Sequence, residues 1–229
     1  MNILRVHCVP HGDQATRAVA LAAQHWLGWC LETLSQYLVT KMGRRTARAT
    51  AIRDALGRVH KQALVLVTAH GVERDLPGYP NVLDADRVPM FGGDDAVKAR
   101  SLTDRIVVIV ACNSAHSIWG FNIDKVARAY IGFVDTLPTG GELAVAMRVF
   151  SVLFRPLRGW LDDRGPAAGR FLDIEARVKE QANQISPNGQ GLMALAGAMA
   201  LHLAANLHVG QRSPELPLTA EGYFPIMNP

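Results

Sequence analysis

The clearest feature of the polar and apolar pattern is a pair of unbroken apolar runs, each ending in a reactive side chain. Ala63-Leu64-Val65-Leu66-Val67 runs into Thr68-Ala69-His70-Gly71, and Ile106-Val107-Val108-Ile109-Val110 runs into Ala111-Cys112-Asn113-Ser114. Runs this short, rich in β-branched residues and apolar at every position, predict strands buried on both faces, as in a parallel sheet. Ile3 to Val9 predicts a first strand closed by Pro10, and Ala129 to Val134 a later one.

Between the strands the period changes to that of a helix. Asp13 is placed to cap a helix from about Gln14 to Val39, with Val19, Ala23, Trp26, Cys30, Leu34 and Leu38 on one face. A basic helix follows from about Thr46 to His60. Ile118 to Ala127 predicts a short helix, and Gly140-Gly141 opens an amphipathic one reaching about Leu161. Helices over about 171–185 and 192–207 precede a Pro-rich tail. The Gly-, Pro- and Asp-rich stretch from Val72 to Asp95 carries turn signals at Tyr79-Pro80-Asn81 and Phe91-Gly92-Gly93-Asp94. Strands alternating with helices predict an α/β domain with a mostly parallel central sheet flanked by helices.

Composition narrows this further. A chain of 229 residues accommodates one well-buried domain, read as a core over 1–140 and a helical portion over 141–229. Hydrophobic residues at 49% and charged residues at 19% describe a globular chain, and a net charge of +4 is too mild to demand a nucleic-acid partner. The local run Lys41, Arg44, Arg45, Arg48, Arg53, Arg58 and Lys61 reads as a solvated helix face opposite Ala49, Ile52, Leu56 and Val59. Gly191 to Val209 carries no formal charge and approaches membrane-span length. His202, Asn206 and His208 within it favour a helix buried against protein. Three cysteines, Cys8, Cys30 and Cys112, form no disulfide framework, and no secretory leader pattern opens the chain. The expected setting is the cytoplasm.

Candidate chemistry centres on His70 and Cys112. The carboxyl ends of strands in open α/β sheets are where ligands collect, and a thiol needs a base to become an attacking thiolate. Each residue also has a plainer reading, a core thiol and a turn histidine, and His11-Gly12 repeats the His-Gly pair. Their joint placement at two strand ends carries the functional reading. His116 after Cys112, and Cys8 between His7 and His11, lack a second ligand pair at zinc-like spacing, so no metal and no cofactor is expected.

The stretch from Thr68-Ala69-His70-Gly71 to Val110-Ala111-Cys112-Asn113-Ser114 resembles the caspase-like (clan CD) superfamily of cysteine peptidases, most of all the bacterial CHAT-type proteases. The spacing of the pair is compatible with the ~50 residues of caspases, and Tyr130-Ile131-Gly132-Phe133-Val134-Asp135 resembles the strand after the nucleophile. The likeness covers about Leu64 to Glu142. Val110 and Ser114 depart from the caspase Gln-Ala-Cys-x-Gly signature, no acid lies between Arg105 and Asn122, and the second strand is supplied only if Gln36 to Thr40 provides it.

The resemblance implies a caspase-like fold and a cysteine endopeptidase acting on a protein substrate. Cys112 would be the nucleophile and His70 the proton carrier, with the backbone N–H groups of Gly71 and Cys112 as the oxyanion site. Beyond the resemblance, Asp135 at the end of the following strand is a candidate to pair with a basic side chain at the cut, or else a surface carboxylate or helix cap before Pro138, and Ser114 and Asn113 lie where substrate contacts are expected. Asp75, Asp94 and Asp95 are weaker acidic candidates. The family context is bacterial antiviral defence or regulated cell death, with a separate sensor or activator chain. A catalytically inactive scaffold of the same fold is the alternative. Association with nucleic acid or a membrane surface through the basic and apolar helices ranks below both.

Overall fold

The computed structural model describes residues 2–10, 13–33, 38–43, 46–59, 61, 63–72, 82–90, 99–116, 118–138, 142–162, 171–185 and 190–211. The predicted turns at 79–81 and 91–94, the loop acids Asp75, Asp94 and Asp95, His11-Gly12, Gly140-Gly141 and the Pro-rich tail lie outside the described residues.

Strands and helices alternate in the order β1 (Asn2–His7), α1 (Gln14–Thr33), β2 (Leu38–Met42), α2 (Ala49–Arg58), β3 (Leu64–Thr68), β4 (His70–Gly71) and β5 (Val82–Leu83). After a 3₁₀ turn at Ala99–Leu102 come β6 (Ile106–Val110), α3 (Ile118–Val126), β7 (Ala129–Phe133), α4 (Leu143–Asp162), α5 (Asp173–Gln184), α6 (Leu192–Ala205) and β8 (Leu207–Gln211). Six strands form one sheet in the order β2-β1-β3-β6-β7-β8, parallel except for β8, which runs antiparallel to β7 along one edge. The molecule is therefore a mixed α/β structure with a mostly parallel central sheet flanked by helices, as its alternating pattern predicts.

Alternation along the strands sorts the core into two layers. Ile3, Leu64, Leu66, Val108, Val110, Ile131 and Phe133 face one cluster, shared with α1, α4, α5 and α6. Leu4, Val6, Val65, Val67, Val107, Ile109 and Tyr130 face the other, beneath α2 and α3. Because both faces are covered, β3 and β6 are apolar at every position except Thr68, whose hydroxyl is hydrogen-bonded to His7 Nδ1 at 2.7 Å. Helix α4 lies between α1 and α6 and buries Val149, Phe150, Val152, Leu153, Phe154 and Leu157 on a broad apolar face, with Arg148 and Arg155 exposed opposite. Trp26 on α1 donates its indole N–H to the Met147 carbonyl at 3.1 Å, and Arg155 sits 4.3 Å above the Trp26 ring.

Three elements differ from the sequence reading. Helix α1 ends at Thr33, not near Val39, and Leu38–Met42 becomes the edge strand β2, pairing Leu38 with Asn2 and Met42 with Val6. The helix period persists through Leu38, but pairing with β1 secures the backbone hydrogen bonds of this short segment. The predicted helix over 192–207 stops at Ala205, and Leu207–Gln211 adds β8 to the sheet. The C-terminal portion is thus not helical alone. Finally, β3 ends at Thr68, and His70–Gly71 forms a separate two-residue strand antiparallel to β5.

Asp84, next to β5, joins that region to α2. Its carboxylate accepts the Ala49 N–H at 3.0 Å, capping α2 from a distance, and also the N–H groups of Asp86 and Val88. Among the described residues no helix is long and apolar enough to cross a membrane.

Candidate active site

The sheet order reverses direction around β1 and β3, since the chain passes from β1 outward to β2 and then back across to β3. Crevices at such reversals, beyond the carboxyl ends of the strands, are natural binding places. A cleft of about 540 Å³ opens there, lined by Asp13 and Thr16 at the start of α1, His70 and Gly71 after β3, and Cys112 after β6. Thr136 and Leu137, past β7, complete one wall. His70 and Cys112 therefore share one cavity although they leave different strands.

His70 has a partner that no local motif announces. Its Nδ1 lies 2.8 Å from Asp13 Oδ2, with the Asp13 side chain 9% exposed and the imidazole 41% exposed. Asp13 is also the predicted helix cap: Oδ1 accepts the Thr16 N–H at 2.9 Å and Oδ2 accepts the Thr16 hydroxyl at 2.7 Å. Burial alone would raise the Asp13 pKa. The two Thr16 hydrogen bonds and the adjacent His70 outweigh it, so the carboxyl sits below its ordinary value. An ionised carboxylate can only accept, so Nδ1 carries the ring proton in the pair. Nε2 is then left with the lone pair of a base. Asp13 was legible from sequence as a cap, and its second task follows only from the packing of α1 against the end of β3.

Cys112 is half-buried, outside any disulfide, and its Sγ accepts the Leu137 N–H at 3.2 Å. A donor aimed at sulfur suits the anion that an attacking thiol must become. Gly71 packs directly on the Cys112 backbone: a Cβ at position 71 would lie 2.5 Å from the Cys112 nitrogen and 2.7 Å from its carbonyl carbon. Any side chain there would push the His-bearing and Cys-bearing segments apart, which accounts for glycine at this position.

The residues after Cys112 shape the turn. Asn113 adopts φ +53°, a left-handed conformation that asparagine tolerates better than most residues, and so swings the chain sharply away after the thiol. It is 5% exposed. Its side-chain amide donates to the Val72 carbonyl at 2.8 Å and its backbone N–H to the Asp135 carbonyl at 3.1 Å. Ser114 is 1% exposed, donating to the Ile109 carbonyl at 3.1 Å and accepting the Phe133 N–H at 3.0 Å. Tyr130 adds a hydrogen bond from its hydroxyl to the Ser114 carbonyl at 2.6 Å. Both polar side chains are turned inward and tie the turn after Cys112 to β7 and to Val72, next to the His70 segment.

Asp135 is exposed, and its carboxylate accepts the Thr136 N–H at 2.6 Å. Its side chain does not line the cleft; its neighbour Thr136 does. The remaining thiol of known surroundings, Cys8, is buried, and burial followed by the nearby Asp84 charge pushes its pKa up, far from thiolate. Its sulfur faces the Ala47 carbonyl at 3.6 Å. His7 shares a 2.7 Å hydrogen bond with the Thr68 hydroxyl, and burial and then Arg5 lower its pKa to about 4. Among the described residues no group of three or more His, Cys, Asp and Glu side chains is gathered as a metal site.

No family model matches the chain, and no curated protein matches it either. Among solved structures it is similar to a secreted C11 cysteine protease from Bacteroides thetaiotaomicron, determined in complex with an irreversible peptide inhibitor. The similarity has 10% sequence identity and a TM-score of 0.45, and covers 83% of this chain. The chain spans 62% of the length of that protein.

Proposed function

We propose that this protein is a cysteine endopeptidase in which Cys112, His70 and Asp13 act as nucleophile, proton carrier and orienting acid. The observation that carries this reading is the 2.8 Å His70–Asp13 pair in the same cleft as the Cys112 thiol. A histidine held by a carboxylate has a defined tautomer and a stabilised cation, both of which a base beside a thiol requires.

In the reaction, His70 Nε2 takes the Cys112 proton, and Sγ bonds to the scissile carbonyl carbon. The resulting oxyanion lies near the backbone N–H groups of Gly71 and Cys112. As the C–N bond breaks, His70 Nε2 passes its proton to the leaving amine. Water, losing a proton to the same nitrogen, then releases the acyl group and restores the thiol. Asp13 stays ionised throughout and stabilises the imidazolium.

The substrate in this proposal is a protein segment, and Asp135, exposed next to the lining residue Thr136, pairs with a basic side chain at the cut. The resemblance to CHAT-type proteases extends the proposal to a cytoplasmic role in bacterial defence or cell death, triggered by a separate sensor or activator chain. A peptide-library cleavage assay on wild type and Cys112→Ala tests the core of it. The expected result is cleavage by wild type, preferentially after Lys or Arg, and none by the variant. Equal cleavage by Cys112→Ala refutes the assignment. A wild-type chain inert toward every peptide and every added activator supports the inactive scaffold instead.

A further inference from the structure

The segment after β7 makes hydrogen bonds on alternating sides. Val134 donates its N–H to the Asn206 carbonyl at 3.0 Å, and the Thr136 carbonyl accepts from His202 Nε2 at 3.1 Å, both at the end of α6. Between them, the Asp135 carbonyl accepts the Asn113 N–H at 3.1 Å, and the Leu137 N–H donates to Cys112 Sγ at 3.2 Å. Residues 134–137 thus form a strap stretched between α6 and the nucleophile turn.

One peptide group joins its two sides. The Thr136 carbonyl and the Leu137 N–H are opposite ends of a single planar unit, trans like every other peptide bond described. Its oxygen is held by His202 and its N–H points at the thiol. Fixing one end fixes the other. A donor on the carbonyl also polarises the amide and strengthens its N–H as a donor.

We infer that His202 is a positioning residue for Cys112, acting through the 136–137 peptide. Because a carbonyl can only accept, His202 must present Nε2–H to it. Asn206 lies against the ring: its Nδ2 is 3.2 Å from His202 Nε2 and 3.4 Å from Nδ1, and it donates to the His202 carbonyl at 3.0 Å. Without His202 the peptide is free to tilt, and Sγ loses an aligned donor. The role rests on Cys112 being the nucleophile of the proposed peptidase. It assigns a third element of the fold, α6, to the site alongside the start of α1 and the strand ends.

Alkylation by iodoacetamide, followed on the Cys112 peptide by mass spectrometry between pH 5 and 9, tests this on the full chain without any substrate. His202→Phe keeps a planar ring and removes the donor; His202→Gln keeps a side-chain N–H. His202→Phe should slow labelling at pH 7 about 5-fold and move its half-maximum up by about 1 pH unit, as loss of one hydrogen bond to a charged group implies. His202→Gln should recover most of the rate. A role confined to fastening α6 would lower thermal stability while leaving the labelling profile in place. The inference is overturned if His202→Phe labels like wild type, or if His202→Gln is as slow as His202→Phe. Because His202 is exposed, both variants should fold; should His202→Phe not, His202→Ser is read in its place. A wild-type chain that cleaves no peptide yet shows this labelling pattern removes the peptidase reading and the role's catalytic meaning with it, while the action of His202 on the Cys112 thiol stands.

Discussion

Asp13→Asn separates the two tasks of Asp13. Asparagine is as good a helix cap as aspartate, so the Thr16 N–H keeps an acceptor and α1 keeps its start. What changes is the face toward His70. An amide brings no charge, and with its NH₂ turned to Nδ1 it selects the tautomer whose proton sits on Nε2, where the base is needed. The magnitude follows from the geometry. With the contact at 2.8 Å, the charge centres of an imidazolium and a carboxylate lie about 4 Å apart, worth about 4 kcal/mol at an effective dielectric of about 20. The imidazole is 41% exposed, so solvent screening removes roughly half, leaving about 2 kcal/mol, or about 30-fold in rate. The assay is kcat/KM on the best library peptide, with thermal melting as the control. The expected outcome is a loss of about 30-fold carried mainly by kcat, with melting nearly unchanged. Activity within about 3-fold of wild type, in a folded protein, would refute the orienting role.

Other perturbations probe the scaffold. Asn113→Ala should cost about 2 kcal/mol in chemical denaturation, combining the left-handed backbone with the lost bond to Val72. Asn113→Gly should recover the backbone share only, and equal losses would contradict the φ-based account. Asp84→Ala should destabilise by about 1–2 kcal/mol, because the α2 cap and two turn bonds disappear together. A change below about 0.3 kcal/mol by urea titration would rule that out. His208 gives a pH signature: its hydrogen bond to Asp124 raises its pKa above 6.5, against burial, with the Asp124 and Glu175 charges adding to the rise. A raised folded value means the stabilisation is complete below the unfolded value of 6.5 and is lost as pH climbs through the folded one. The melting advantage of wild type over His208→Gln should therefore shrink between pH 6 and pH 9; a constant or growing gap would speak against it.

Local patterning carried the central strands, the helix starts and the two reactive side chains. β3, β6 and β7 were legible because burial on both faces leaves almost only apolar residues, a signal contained in five consecutive positions. Asp13 was legible as a cap for the same reason, since its acceptors' donors lie three residues away. Edges and partnerships were not legible. Leu38–Met42 continues a helical period, and Leu207–Gln211 continues an apolar helix; each becomes a strand because a neighbour distant in sequence offers a hydrogen-bonded edge. Asn113 and Ser114 directly follow Cys112 in sequence, and the partners that take up their polar groups, Val72, Ile109 and Phe133, are set by packing. The pairing of Asp13 with His70, and of His202 with the peptide that faces Cys112, joins residues separated by 57 and 66 positions to their partners. Sequence by itself determined the central strands, most of the helices and where the thiol and imidazole sit along the chain. Only the tertiary structure decided their orientation, because a side chain's hydrogen-bond partner is chosen by packing between elements, and that packing depends on the whole sheet.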